Sequence, residues 1–361
     1  MTRDQLKKTA IVSIACVLIV AAIVITIFAP KELSRTVKPT GIMGTTCEIT
    51  VFAKARNQNA CFNGPEAAAD VLRSVEVLMS AKMDASMLSR INAGPGGMSF
   101  ACGDHFIEVL AAARAGHRDS DGAFDVTIGP LIDLWKQAGR GDVMPSDADI
   151  LAARAASSWD DFAIDGTTLT KARTTARMDL GGIAKGYAID NAVEALLRYN
   201  PDGGFIDVGG DLKFFGQNPN GPDWSVSIRD PFGDGFLGTV HVDDGAVCTS
   251  GDYARYVTIE GQRFSHIIDP RTGMPTRVSP SVTVLAPTAM QADVWATALS
   301  VLGPEALAKD DDGNTMLPDG VEAMIVIGDQ GESVFHMTDG FAERFVPATS
   351  ATTPAAETPA E

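Results

Sequence analysis

Asp293 and Thr297 stand four residues apart in a stretch, 290–302, whose apolar spacing predicts a helix ended by Gly303-Pro304. Four residues are about one turn, so the carboxylate and the hydroxyl share a face. Both are hard oxygen donors, which suit Mg²⁺ when substrate phosphate oxygens complete its shell. Alone, such a pair is more often a surface Asp with a Thr bonding backward along its helix. A second set is Met178-Asp179-Leu180-Gly181-Gly182-Ile183-Ala184-Lys185-Gly186-Tyr187. Its pattern predicts a strand ending at Asp179, a turn on two glycines and a helix from Ile183. Backbone N–H groups at such a helix start can hold phosphate oxygens, and glycine lets them come close. The run is neither a Walker A nor a GxGxxG sequence, so it predicts no ordinary triphosphate or Rossmann binding. A plain strand-to-helix turn would read the same.

Two further junctions concentrate glycine, aspartate and hydroxyl residues. One is Phe124-Asp125-Val126-Thr127-Ile128-Gly129-Pro130. The other joins Thr249-Ser250-Gly251-Asp252-Tyr253 to His266-Ile267-Ile268-Asp269-Pro270-Arg271-Thr272-Gly273. His266 alone is more often a hydrogen-bonded core histidine than a catalyst. Asp310-Asp311-Asp312-Gly313 lacks the EF-hand spacing and reads as a solvated turn.

Periodicity supplies the elements that must position these residues. Helical spacing is expected over 65–81, 104–117, 130–138, 146–156, 183–199 and 290–302. The fifth of these follows the two glycines after Asp179, and Ser146-Asp147-Ala148-Asp149 resembles a capping box. Strands are expected over 47–52, 162–165, 169–171, 205–208, 212–215, 224–229, 239–242, 264–268 and 281–285. A terminal hairpin is expected over 324–327 and 333–337. The order does not alternate regularly as βαβ. An α+β fold with mainly antiparallel sheets and flanking helices fits better than a doubly wound one.

Composition excludes some partners. Acidic residues number 46 against 29 basic ones, and the formal net charge is −17. No basic cluster supplies the footprint that nucleic acid requires. Five cysteines and five histidines show no CxxC, HxxxH or HExxH spacing, which argues against a zinc site.

Residues 10–29 form an uncharged, nearly all-apolar run, enough to cross a hydrocarbon core of about 30 Å. Arg3, Lys7 and Lys8 precede it; Lys31, Arg35 and Lys38 follow. Ile27 and Ala29 do not supply the small pair of a signal cleavage site. The expectation is an N-terminal transmembrane anchor over 1–30, with a cleaved signal as the alternative. A linker over 31–40 would follow, then a catalytic domain over 41–346 on the extracytoplasmic side of the cell membrane. The tail 347–361 contains only Pro, Ala, Thr, Ser and Glu and should be disordered. One disulfide among Cys47, Cys61 and Cys102 is permitted outside the membrane, as are isolated buried thiols.

Gly44-Thr45-Thr46, Ser89-Arg90-Ile91-Asn92, FDVTIGP, DLGGIAKGYAID, FIDVGGDL, TSGDY, HIIDPRTG and ADVWATAL occur in that order over 41–345. The series resembles the ApbE family, the FAD:protein FMN transferases. DLGGIAKGYA with HIIDPRTG is the specific pair. The resemblance implies Mg²⁺-dependent transfer of FMN from FAD to a Thr or Ser of an extracytoplasmic target flavoprotein, such as a redox-pump subunit, with AMP released. It implies Asp293 and Thr297 as Mg²⁺ ligands with the carbonyl of Gly182 beside them. Met43, Ala123, Phe124, Asp125, Asp179, Lys185 and Ile267 match flavin-contacting positions. Lys82 stands where many relatives place an aromatic or polar residue against the flavin, so the sequence departs there. The apolar N-terminal span replaces the family's common lipoprotein signal. Asp293 is the first candidate general base and His266 the reserve. An FAD pyrophosphatase and a non-catalytic flavin-binding protein are the competing readings.

Overall fold

A computed structural model describes residues 32–251, 256–276, 280–310, 313–329 and 332–348. The expected anchor over 1–30 lies outside the described residues, as do Asp252, Tyr253 and the tail from 349. Among the described residues no helix is long and apolar enough to cross a membrane.

The strands are β1 (Glu32–Val37), β2 (Cys47–Lys54), β3 (Met98–Ala101), β4 (Phe162–Asp165), β5 (Thr168–Lys171), β6 (Gly203–Val208), β7 (Asp211–Gly216) and β8 (Trp224–Arg229). They continue with β9 (Phe236–Val242), β10 (Gly245–Gly251), β11 (Tyr256–Ile259), β12 (Gln262–Ser265), β13 (Ser281–Ala286), β14 (Glu322–Asp329), β15 (Glu332–Met337) and β16 (Phe345–Pro347). The longer helices are α1 (Gly64–Met79), α2 (Met87–Ala93), α3 (Asp104–Asp119), α4 (Gly129–Gly141), α5 (Asp147–Ala155), α6 (Ala184–Leu197) and α7 (Ala289–Leu302).

Eight strands make the main sheet, in the order β1-β2-β6-β7-β10-β13-β14-β15. Every neighbouring pair is antiparallel. Side chains alternate across its pleat. Ala246, Cys248, Val282, Val284, Ala323 and Ile325 face a core shared with the helices. Val247, Leu285, Met324 and Val326 face a second core built with Trp224, Val240 and Phe345 of the small sheet β8-β9-β16. The strands in the middle of the sheet are therefore covered on both faces. An α+β architecture with antiparallel sheets is what forms.

On the helical side α1 packs along α6, and α6 along α7. α7 is buried almost all round, from Ala289 to Val301, as expected of a helix that is apolar on every face. Its one charged residue, Asp293, goes inside with the rest. The start of α7 is capped twice. The Thr288 hydroxyl accepts from Gln291 N at 3.2 Å, and Asp190 of α6 accepts from Ala289 N and Met290 N, each at 2.9 Å. Three of the orphan donors of that first turn are thereby satisfied. The helix that carries Asp293 is pinned to the helix that follows the glycine turn.

Several expectations need correction. The linker expected over 31–40 holds β1, an edge strand in register with β2 from Glu32↔Lys54 to Val37↔Ile49. The strand expected over 264–268 runs Gln262–Ser265, leaving His266 outside it. No strand ends at Asp179; the segment before it makes an isolated parallel bridge, Ile128↔Arg177. At the tail boundary, Pro347 closes β16 and Ala348 N still donates to Leu237 O at 2.9 Å. Cys47, Cys61, Cys102 and Cys248 are all buried free thiols. The capping box at Ser146 forms, with Asp149 N on the Ser146 hydroxyl at 3.2 Å.

Candidate active site

The glycine turn is built from both sides. Asp179 N donates to Val126 O at 2.8 Å. The Asn92 side chain at the end of α2 accepts from Met178 N and donates to Met178 O, both at 2.8 Å. A Lys171 ammonium with no exposure gathers the carbonyls of Ile91, Asn92 and Gly94 at 2.9–3.1 Å. It satisfies the C-terminal carbonyls of α2 and fixes the clip that holds Met178. The Asp179 carboxylate then accepts from Gly181 N at 2.8 Å, shaping the turn into α6.

Across this turn lies α7. Gly186 lets the helices touch, because a Cβ there would stand 2.2 Å from Ala289 O. At that approach Gly186 N donates to Asp293 Oδ2 at 3.1 Å. Asp293 Oδ1 takes the Lys185 ammonium at 3.2 Å. One turn on, the Thr297 hydroxyl sits 2.8 Å from where a Gly182 Cβ would be, and the Phe124 ring 3.2 Å from it. Gly182, Lys185, Asp293 and Thr297 thus converge from segments more than a hundred residues apart.

A residue not singled out in the sequence completes the cluster. Asp211 heads β7, is 3% exposed, and pairs closely with Lys185 while accepting from Thr249 N at 3.3 Å. Burial pushes the Asp293 carboxyl up to about 6, and Asp211 adds to that; Lys185 and Gly186 N oppose it. Burial works against the Lys185 ammonium, but Asp211 and Asp293 outweigh it and hold the group charged. The Cys248 thiol behind them is pushed well up by burial and by both carboxylates, so it stays protonated and unreactive.

We group the remaining expected residues as the rim; each sits in its own local setting. Ala123, Ile267 and Val301 pack as one small apolar group. Asp125 accepts from Thr127 N and its hydroxyl at 2.7 and 2.8 Å, and lies 3.5 Å from His117 Nδ1. Burial raises its carboxyl above the usual range, although the Thr127 bonds oppose the rise. Met43 and Gly44 have φ of 49° and 66°, and Thr45 N donates to Ile42 O at 3.1 Å, a tight turn of the type I′ kind. The Lys82 ammonium lies 3.8 Å from where a Gly44 Cβ would be. His266 is exposed, next in the chain to the buried Ile267. Asp269 is engaged by Arg271 at 2.9 and 3.1 Å.

Among the described residues no three His, Cys, Asp or Glu side chains cluster so as to cage a metal unaided. The protein offers one carboxylate, one hydroxyl and the backbone at Gly182. That is a sparse, all-oxygen set, and it fits a Mg²⁺ whose shell is finished by phosphate oxygens and water.

The ApbE family model matches residues 43–317, the span that carries every one of these residues. The chain belongs to the ApbE family. A Vibrio cholerae FAD:protein FMN transferase is 36% identical over 241 residues, 65% of this chain and 72% of that one. Its Haemophilus influenzae counterpart is 30% identical over 300 residues, 80% and 87% of the two chains. Among solved structures, the ApbE protein of Thermotoga maritima superposes with a TM-score of 0.75 at 29% identity, covering 86% of this chain and 99% of that one. The apo flavinyl transferase ApbE of Pseudomonas stutzeri gives 0.74 at 33% identity, covering 88% and 97%. The expected site residues of this ApbE protein thus fall into two groups, the buried seam between α6 and α7 and the rim residues.

Proposed function

We propose that this ApbE protein is an FAD:protein FMN transferase. The convergence of Gly182, Lys185, Asp293 and Thr297 beside a glycine turn carries the reading, and the names of its relatives support it. In the reaction, a Ser or Thr hydroxyl of a target flavoprotein attacks the FMN phosphorus of FAD. A new phosphoester O–P bond forms, the P–O–P bridge breaks, and AMP leaves with the bridging oxygen.

Asp293, Thr297 and the Gly182 backbone would hold Mg²⁺, which supplies neutralisation of the phosphate charge when bound. Lys185 donates hydrogen bonds and positive charge toward the same oxygens. Gly181 and Gly182 keep Cβ atoms out of the way so that backbone lies against the phosphates. Phe124, Ala123 and Ile267 give apolar wall for the flavin, and Met43 and Lys82 bound its outer side. Asp293, directly or through a water beside it, is the first candidate to take the hydroxyl proton. His266, exposed at the rim, is the second candidate for that role.

The target is an extracytoplasmic flavoprotein, and the apolar run over 10–29 tethers the enzyme at the cell membrane. Incubating the full chain with FAD, Mg²⁺ and a candidate acceptor domain tests the reading. Flavin fluorescence that stays on the denatured acceptor is the expected result. Free FMN with an unlabelled acceptor would instead show a pyrophosphatase, and unchanged FAD a binding protein.

A further inference from the structure

Lys185 has two buried counter-ions where one would neutralise it. Asp293 on α7 and Asp211 on β7 are each 4% exposed at the side chain, and Lys185 is 20% exposed. The cluster therefore carries one net negative charge in a place with little water. A second buried carboxylate is costly unless something uses it. Asp211 is also held firmly. Its Oδ1 accepts from Thr249 N at 3.3 Å, and its strand begins after Gly209 and Gly210, both at positive φ (70° and 93°).

The two carboxylates are not equivalent. Asp293 has its Oδ2 on Gly186 N, so its Oδ1 is the oxygen that Lys185 and an incoming cation would both claim. Asp211 faces the ammonium from the opposite element. An ammonium has three donors. Releasing Asp293 while keeping Asp211 leaves Lys185 charged, anchored and with donors free for a phosphate oxygen. Without the Asp211 charge, Lys185 and Asp293 would be a closed neutral pair, and a cation would have to break it.

We infer that Asp211 is a positioning residue of this site: it holds the Lys185 ammonium so that Asp293 can release it and turn its carboxylate to a divalent cation. The inference rests on the proposed reading of Asp293 as a metal ligand. It is an inference about what Asp211 does through Lys185, and Asp211 is no ligand itself.

The test is Mn²⁺ binding to the full chain, followed by the electron paramagnetic resonance of the free ion, in a double-mutant cycle. Wild type, Asp211→Asn, Lys185→Met and the double variant are compared, with Asp211→Glu as the charge-conserving control. Asp211→Asn should bind Mn²⁺ about tenfold more weakly, within the range of couplings seen in shared charge networks. Asp211→Glu should stay within about threefold of wild type. In the Lys185→Met background the Asp211→Asn change should have no effect, and both proteins should bind at least as tightly as wild type. The inference is overturned if Asp211→Asn binds like wild type, or if it weakens Mn²⁺ equally in both backgrounds, which would make Asp211 a bare charge near the metal. If only the FAD-loaded wild type binds Mn²⁺, the cycle is read with FAD present; absence of binding both with and without FAD would overturn the ligand reading of Asp293, and the inference with it.

Discussion

The seam between α6 and α7 and the rim formed by Met43, Lys82 and His266 are built on opposite terms. In the seam, a Cβ on Gly186 would meet backbone at 2.2 Å and one on Gly182 would meet the Thr297 hydroxyl at 2.8 Å. The charged groups there are nearly all buried, and each carboxylate has a named donor. In the rim, Lys82 and His266 are exposed, and Met43 sits in a two-residue turn. Geometry for phosphoryl chemistry has to be held to fractions of an ångström. Contacts to the outside of a flavin or to a protein acceptor tolerate more movement. Under the proposed function, the contrast would separate where bonds are broken from where partners are recognised, and substitutions should divide the same way.

The largest effect is expected for Asp293→Asn. It keeps size and the Gly186 bond but removes the charge, and the loss of about 3–4 kcal/mol of transition-state stabilisation slows transfer on the order of a hundred- to a thousandfold. Thr297→Val removes only a neutral ligand and should cost less. Single-turnover transfer measured for both would show the order; a slower Thr297→Val would break it.

Gly186→Ala comes next and reads out as stability. Its methyl has backbone as its nearest neighbour, so the helices must part, at a cost of about 1–3 kcal/mol. Thermal unfolding should shift down by several degrees, roughly 2–4 °C per kcal/mol for a domain of this class. An unchanged midpoint would mean that the helices are not closed against each other as described.

The pH dependence is third. The Asp293 carboxyl is raised to about 6, so it is ionised above that pH and protonated below it. Metal ligation needs the ionised form. Transfer at limiting Mg²⁺ should therefore fall as pH drops through about 6, and added Mg²⁺ should move the inflection lower. A profile flat from pH 5 to 7.5 would remove Asp293 from the metal. The smallest effect is expected at the rim. Lys82→Ala should change the KM for FAD by no more than a few-fold and leave the maximal rate alone, since an exposed ammonium in water contributes little.

Legibility in the sequence follows the same division. α7 was readable because an unbroken apolar helix with one carboxylate has few explanations, and the two glycines after Asp179 mark a turn in any fold. Asp211 was not readable. It falls in the FIDVGGDL run, but Lys185 lies 26 residues before it and Asp293 82 after it, and nothing local pairs it with either. The same holds for Asn92, whose motif was visible but whose bond to Met178 spans 86 residues. β10 escaped because Gly245–Gly251 is covered on both faces and so lacks alternation. β1 escaped for the opposite reason: as an edge strand none of its residues is fully buried, and its polar sequence looks like a linker.

The central claim is that Asp293 joins Mg²⁺ to the flavin pyrophosphate. The most direct test is the Mg²⁺ dependence of single-turnover FMN transfer by wild type and Asp293→Asn at saturating FAD. The account predicts a slower Asp293→Asn protein whose half-saturating Mg²⁺ concentration is also raised, about tenfold or more. Wild-type rate with an unaltered Mg²⁺ dependence would contradict it.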